Sequence, residues 1–180
     1  MPAPQEPSMK GKIALITGAG QGIGQGIALA LAQEGVDLIV SGRTLAKVEE
    51  TTRLAAARGV RAISVVCDVK NAADLAAAVD AAVDQLGGLD ILVNNAQEVP
   101  LGVLDNVTDE AFTAGFESGP LASFRLMKLA RPHMAARGGG TIFNFASSAG
   151  IRWDMASYGC YGAIKQATRA LTRAAASEWG

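Results

Sequence analysis

A tyrosine and a lysine stand four positions apart in the stretch CYGAIKQ, residues 160–166. On a helix, residues i and i+4 share a face, so Tyr161 and Lys165 would reach the same place. A free phenol, with a pKa near 10, is a poor base at neutral pH, and a nearby positive charge favours the phenolate. The two residues could be a proton donor and the group that tunes it, or an ordinary surface pair. Tyr158 competes as a phenol, but position 162 is Gly, so it has no lysine one turn on.

Other residues with usable chemistry sit just after short apolar runs. TGAGQGIG (17–24) follows KIALIT (12–17) and precedes an apolar helix-like segment. Glycines there allow a tight turn and close approach to a pyrophosphate, which the free N–H groups and the positive end of the next helix would hold. Between a strand and a helix, such a cluster points to a dinucleotide.

SGRT (41–44) follows the second run. A site for NAD would place a carboxylate there, to hold the ribose 2′-OH. Here Gly42 and Arg43 occupy the place, and arginine suits a 2′-phosphate through forked, charge-assisted bonds. The reading therefore favours NADP(H) over NAD(H), against the alternative of a solvated arginine. Asp68, in CDV, could accept from an adenine amino group or simply shape a turn. Asn94 and Asn95, in NNAQ (94–97), could tie strand ends together or form a turn. Ser147 and Ser148, in ASSAG (146–150), bring two hydroxyls towards the same crevice.

These residues need a frame, and the hydrophobic pattern supplies one. Strands are expected at 12–17, 36–41, 60–66, 90–95 and 141–146. Between them lie a first helix with Ile23, Ile27, Ala30 and Leu31 at helical spacing, and a second with Leu45, Val48, Thr52 and Ala55 on one face. A third is capped by Asn71, striped by Leu75, Val79, Ala82, Val83 and Leu86, and stopped at Gly87 and Gly88. A long fourth helix runs from about Thr108 to Met134, and a fifth starts near Tyr158. Alternation of strand and helix implies right-handed crossovers. The fold class is thus α/β: a doubly wound, Rossmann-type parallel sheet with helices on both faces. Continuously apolar strands fit a sheet buried on both sides. Ligands of such sheets bind beyond the carboxyl ends of the strands, where the strand order reverses.

Bulk properties narrow the classes. The 180 residues carry a formal net charge of −1, which gives no basic footprint for nucleic acid or an acidic membrane. No apolar run is long enough to span a bilayer. MPAPQEPSMK lacks the apolar core of a signal peptide and reads as a loose tail over 1–10, ahead of one domain over 11–180. Cys67 and Cys160 have no metal-like spacing and read as free thiols, which places the protein in the cytoplasm. His133 reads as a solvent-side residue near a helix end. Trp153 and Asp154 could line a substrate pocket with residues 97–106 and 148–158.

With TGAGQGIG, Asp68, NNA (94–96), a serine after the fifth strand and YGAIK (161–165) in this order, the chain resembles the short-chain dehydrogenase/reductase family in its simple single-domain form. The resemblance implies hydride transfer between a nicotinamide cofactor and a carbonyl/alcohol substrate. It assigns Tyr161 as general acid/base, Lys165 as the group lowering its pKa and holding the nicotinamide ribose, and a serine as donor to the carbonyl oxygen. Counted from Asn144 and Gly150, that serine is Ser147; counted back from Tyr161, it is Ser148. Ser147 is preferred. The cofactor would contact Gly18, Gln21, Gly22, Ile23, Gly24, Arg43, Asp68, Val69, Asn95 and Ala96, besides Tyr161 and Lys165. Homodimers or homotetramers through the fourth and fifth helices are implied as well, and no metal.

The sequence departs from the family pattern in two residues. Gln97 stands where the family usually has glycine. Gly119, in FESGPLASF, stands where it usually has an asparagine that serves a proton-relay water near the lysine. Gly119 followed by Pro120 predicts a kink or local unwinding. The relay could pass through Ser118 or water, or be broken, which would leave a cofactor-binding protein with weak catalysis. The family also continues for two more strands and a substrate-covering segment, so a longer protein is expected.

Overall fold

The computed structural model describes residues 9–152 and 156–180. Trp153 and Asp154 fall outside these residues. Five parallel strands, β1 (Ile13–Ile16), β2 (Asp37–Gly42), β3 (Ala62–Val66), β4 (Ile91–Asn94) and β5 (Thr141–Asn144), lie in the order β3-β2-β1-β4-β5. The chain winds outward from β1 to β3, then returns to the other side of β1. The strand order therefore reverses between β1 and β4, and a crevice opens at their carboxyl ends.

Alternate strand residues face opposite layers. Ile13 and Leu15 pack with α3 (Ala72–Ala81) and α5 (Ala122–Ala136). Ala14 and Ile16 pack with α1 (Gly22–Gln33) and α2 (Leu45–Ala56). The three inner strands, β2, β1 and β4, are buried almost throughout. The outer two are not: β3 is half-buried, and β5 alternates exposed and half-buried residues.

Two helix faces differ from the sequence reading. In α1 the buried residues are Gly24, Ala28 and Ala32, while Ile23 is 66% exposed. A helix that begins against the glycine turn must approach backbone closely, and only small residues permit that. In α2 the buried residues are Val48, Thr51 and Ala55, and Leu45 is exposed. The third helix follows the expectation: Asn71 accepts from the Ala73 N–H, and Leu75, Val79, Ala82 and Leu86 are buried. Its end widens into a π turn at Ala82–Leu86 and stops at Gly87, which takes the left-handed conformation (φ +97°). Met9, expected in the tail, donates its N–H to the Glu34 carbonyl and packs on the sheet.

The long fourth helix is two helices. α4 (Asp109–Phe116) passes through a π turn, Glu117–Leu121, into α5. Pro120 lies inside that turn and brings no N–H, which accounts for the loss of α-helical register. α6 (Gly159–Trp179) follows the serine loop.

Asp90 ties this framework at its amino end. Its carboxylate is 3% exposed and accepts from the Ile13 N–H at 2.9 Å, from Lys12 at 3.3 Å and from Arg137 Nε at 3.1 Å. Burial pulls its pKa up, but the bonds from Arg137, Ile13 and Lys12 outweigh burial and hold it below the usual value. A depressed carboxylate adds stability above its unfolded pKa and loses it as pH falls through the folded pKa. We expect Asp90→Asn to cost about 2 kcal/mol at pH 7. In urea titrations the variant should also lose less stability than the wild type on acidification from pH 5 to 3.

Candidate active site

A cavity of about 400 Å³ occupies the crevice at the strand reversal. Gly18, Gln21 and Gly22 from the glycine turn line it, with Arg43 after β2, Asp68 and Val69 after β3, and Asn95 and Ala96 after β4. The structure therefore brings eight of the twelve expected cofactor contacts to one surface, while Ile23, Gly24, Tyr161 and Lys165 are not among its lining residues. Ile23 is 66% exposed, and a Cβ on Gly24 would press on the Gly18 carbonyl and come within 2.7 Å of Asn95 Nδ2. Gly18 (φ +64°) and Gly22 (φ +59°) take the left-handed backbone that the turn requires.

Does this hollow fit a dinucleotide? α1 begins here with no side-chain cap and no acidic residue in its first turn. Its first N–H groups stay available to an anion, and the helix dipole favours one. A Cβ on Gly18 would lie 3.1 Å from Ala96 Cα, so the turn has no room for a side chain there. The residues present fit a pyrophosphate group.

Asparagines and a threonine hold the strand ends in register. Thr17 Oγ1 donates to the Val93 carbonyl at 3.3 Å and accepts from the Asn95 and Ala96 N–H groups at 3.0 and 3.1 Å. Asn95 Nδ2 donates to the Thr17 and Gly18 carbonyls, at 2.9 and 3.3 Å. Asn94 Nδ2 donates to Asn144 Oδ1 at 2.7 Å, and Asn144 Nδ2 to Thr172 on α6 at 2.9 Å. Of the two readings open for these asparagines, the tie between strand ends is the one observed.

Asp68 shapes its turn: Oδ1 accepts from the Lys70 N–H at 3.0 Å, and its own N–H donates to Asp74. Below it, burial and then the charges of Asp74 and Asp68 push the Cys67 thiol up to about 12, so it stays protonated. Cys67 and Cys160 are both free.

Glu98 collects cations from across the crevice. Its Oε1 accepts from Arg43 Nη1 at 2.9 Å and lies 3.0 Å from Lys70 Nζ. The hydrogen bond that Lys70 donates to Glu98 is the largest effect raising the Lys70 pKa. Arg43 is therefore engaged by a carboxylate, a contact the sequence reading missed. Its only sequence signal was an acidic residue soon after β4.

On the other side of β4, the serine loop and α6 interlock through glycines. A Cβ on Gly162 would lie 2.7 Å from the Ala149 carbonyl, and one on Gly150 would lie 3.1 Å from Lys165 Cβ. In the sequence Gly150 serves only as a spacing mark and Gly162 only as the residue that denies Tyr158 a lysine, yet their lack of side chains lets the loop and the Tyr161–Lys165 segment approach this closely. Lys165 is 4% exposed. Its Nζ donates to the Phe145 carbonyl at 2.5 Å and lies 5.6 Å from the centre of the Tyr161 ring. Burial lowers its pKa to about 8. Tyr161 is half-buried, and its ring meets Tyr158 edge-on at 6.2 Å. Ser147 Oγ accepts from the Ala149 N–H at 3.2 Å, and Ser148 is exposed. Ser118, considered as a relay, is occupied: it donates to the Ala114 carbonyl at 2.7 Å and accepts from the Glu98 N–H at 2.9 Å.

A parallel sheet with a glycine turn at its strand reversal, and a tyrosine–lysine pair beside a serine loop, define a nucleotide-binding enzyme fold. The family model described as short chain dehydrogenase matches residues 12–180, and the chain belongs to that family. The 12alpha-hydroxysteroid dehydrogenase of Clostridium sp. (strain ATCC 29733 / VPI C48-50) is 36% identical, over 94% of this chain and 68% of that protein. A structure of NAD+-bound xylitol dehydrogenase superposes with a TM-score of 0.89 at 31% identity, over 94% of this chain and 65% of that one. A 7alpha-hydroxysteroid dehydrogenase complexed with NADH and 7-oxo glycochenodeoxycholic acid gives 0.89 at 30%, over 96% and 67%. The chain spans about two thirds of the length of these relatives. Among the described residues, no helix is long and apolar enough to cross a membrane.

Proposed function

We propose that the protein is an oxidoreductase that transfers a hydride between NADP(H) and a small carbonyl/alcohol substrate. The observation that carries this reading is the buried Lys165 ammonium, set beside the Tyr161 ring on a helix interlocked with the serine loop. In the direction of reduction, the Tyr161 hydroxyl gives its proton to the substrate oxygen. The Lys165 charge stabilises the phenolate left behind. Ser147 accepts from Ala149 and keeps its own proton free to donate to the carbonyl oxygen as negative charge gathers there. Ser148, out in solvent, is the reserve. The nicotinamide, when bound, supplies or takes the hydride. The glycine turn and the start of α1 would hold the pyrophosphate, and Asp68, Val69, Asn95 and Ala96 would flank the adenosine and ribose.

Arg43 at the cavity wall, with Gly42 where a carboxylate would select NAD(H), supports NADP(H). The named relatives with bound cofactor carry NAD+ and NADH, so the preference rests on Arg43. Calorimetry should give a lower Kd for NADPH than for NADH, and Arg43→Leu should weaken NADPH binding about tenfold while leaving NADH binding within about twofold. Equal affinities in the wild type would return the preference to NAD(H). The activity itself is tested by NADPH oxidation against a panel of ketones and aldehydes. Tight binding without turnover would reduce the protein to a cofactor binder.

The same reading includes self-association through α4, α5 and α6, since Phe116 and Phe124 on the first two are 36% and 41% exposed. Two free thiols fit a reducing, cytoplasmic setting.

A further inference from the structure

The two residues that depart from the family pattern, Gln97 and Gly119, lie on different elements and meet. A Cβ built on Gly119 would stand 2.8 Å from Gln97 Nε2 and 2.9 Å from its Cδ, and closer still to Oε1. A side chain at 119 would require the Gln97 carboxamide to swing aside. We propose that Gln97 is a positioning residue for the reaction, whose carboxamide fills, from the end of β4, the place that Gly119 leaves empty on the helix. The proposal rests on the oxidoreductase reading above.

The contacts say what is positioned. Gln97 Nε2 donates to the Gly115 and Glu98 carbonyls, each at 2.8 Å. Gly115 closes α4 just ahead of the π turn, where Pro120 contributes no N–H. The glutamine amide supplies a donor at this weak point. Gly115 is also where α4 meets α6: a Cβ there would lie 2.6 Å from Ile164 Cδ1, and Ile164 immediately precedes Lys165. The path from the Gln97 amide to the Gly115 carbonyl to Ile164 therefore links Gln97, which lines the cavity, to the helix that carries Tyr161 and Lys165. The two departures fit one another: the Gln97 carboxamide occupies the space a side chain at 119 would need.

A reciprocal swap in the full-length protein tests this. Gly119→Asn drives its side chain into Gln97, and Gln97→Gly leaves a hollow over Gly119. Each single change should lower kcat about tenfold or more, with the NADPH Kd within about threefold of wild type. The double variant Gln97→Gly/Gly119→Asn should recover kcat to within about threefold. Singles with wild-type kcat, or a double as poor as the product of the singles, would overturn the proposal. A second readout does not need turnover: the Lys165 titration, followed by NMR of labelled lysine, should move in both singles and return in the double. An unmoved titration overturns the positioning role even where activity falls. Absence of turnover in the wild type refutes the oxidoreductase reading separately.

Discussion

Tyr161→Phe should lower kcat about 10³-fold while leaving the NADPH Kd within about threefold, because the ring stays and only the proton is removed. The structure makes this a clean subtraction. Phenylalanine keeps the edge-on contact with Tyr158, at 64° between planes, and the face presented to Lys165. Packing, loop position and cofactor cavity are therefore unchanged, and the lost quantity is general-acid assistance to the substrate oxygen. Steady-state kinetics beside calorimetry separate the two effects. Tyr158 is the control. It sits one turn earlier, at the cap of α6, and Gly162 gives it no ammonium. Tyr158→Phe should cost under about threefold. The reverse ranking would transfer the acid/base role to Tyr158.

Removing the charge at position 165 comes next in size. Lys165→Met should lower kcat about 10²-fold or more, and the wild type should show the same chemistry through pH. With its pKa lowered to about 8, the ammonium is charged below that pH and neutral above it. Its support for the phenolate fades as pH rises past 8, so kcat should decline on the alkaline side, and that limb should vanish in Lys165→Met.

Stability runs the other way. A buried lysine with a folded pKa below its unfolded value costs the fold most when charged. Between pH 8 and pH 10.5, the ordinary lysine value, the unfolded chain binds more protons, so stability rises with pH over that window. The gain attributable to Lys165 is on the order of 3 kcal/mol. It is read as the difference between wild-type and Lys165→Met urea midpoints at pH 8 and pH 10. Parallel curves would mean that the lysine titrates in the fold as it does in water.

These expectations were reachable from the sequence to different degrees, for physical reasons. The strands and the order of the motifs were legible, because a parallel sheet writes itself as apolar runs followed by turn residues. The asparagines, the glycine turn and the Tyr161–Lys165 spacing could be placed at the strand ends from that pattern alone. Which face of α1 packs was not legible. Of Ile23, Ile27, Ala30 and Leu31, Ile27 and Leu31 pack half-buried against the core and Ile23 and Ala30 are exposed, while the fully buried positions are Gly24, Ala28 and Ala32. The Gln97–Gly119 contact was invisible as well: the sequence shows two separate departures, and only the fold brings them within reach of each other. Arg43 was read as free for phosphate, because its counter-ion comes from beyond β4.

That counter-ion makes cofactor choice responsive to the solution. Arg43 and Glu98 are 64% and 32% exposed on their side chains, so their attraction is screened by dissolved salt. A dianionic phosphate arriving at Arg43 must displace a tethered rival carboxylate. Dilute buffer strengthens both the rival and the newcomer, whereas a ligand without the phosphate meets neither effect. On the proposed reading of Arg43, discrimination between the two nicotinamide cofactors would depend on ionic strength as much as on the residues at that wall.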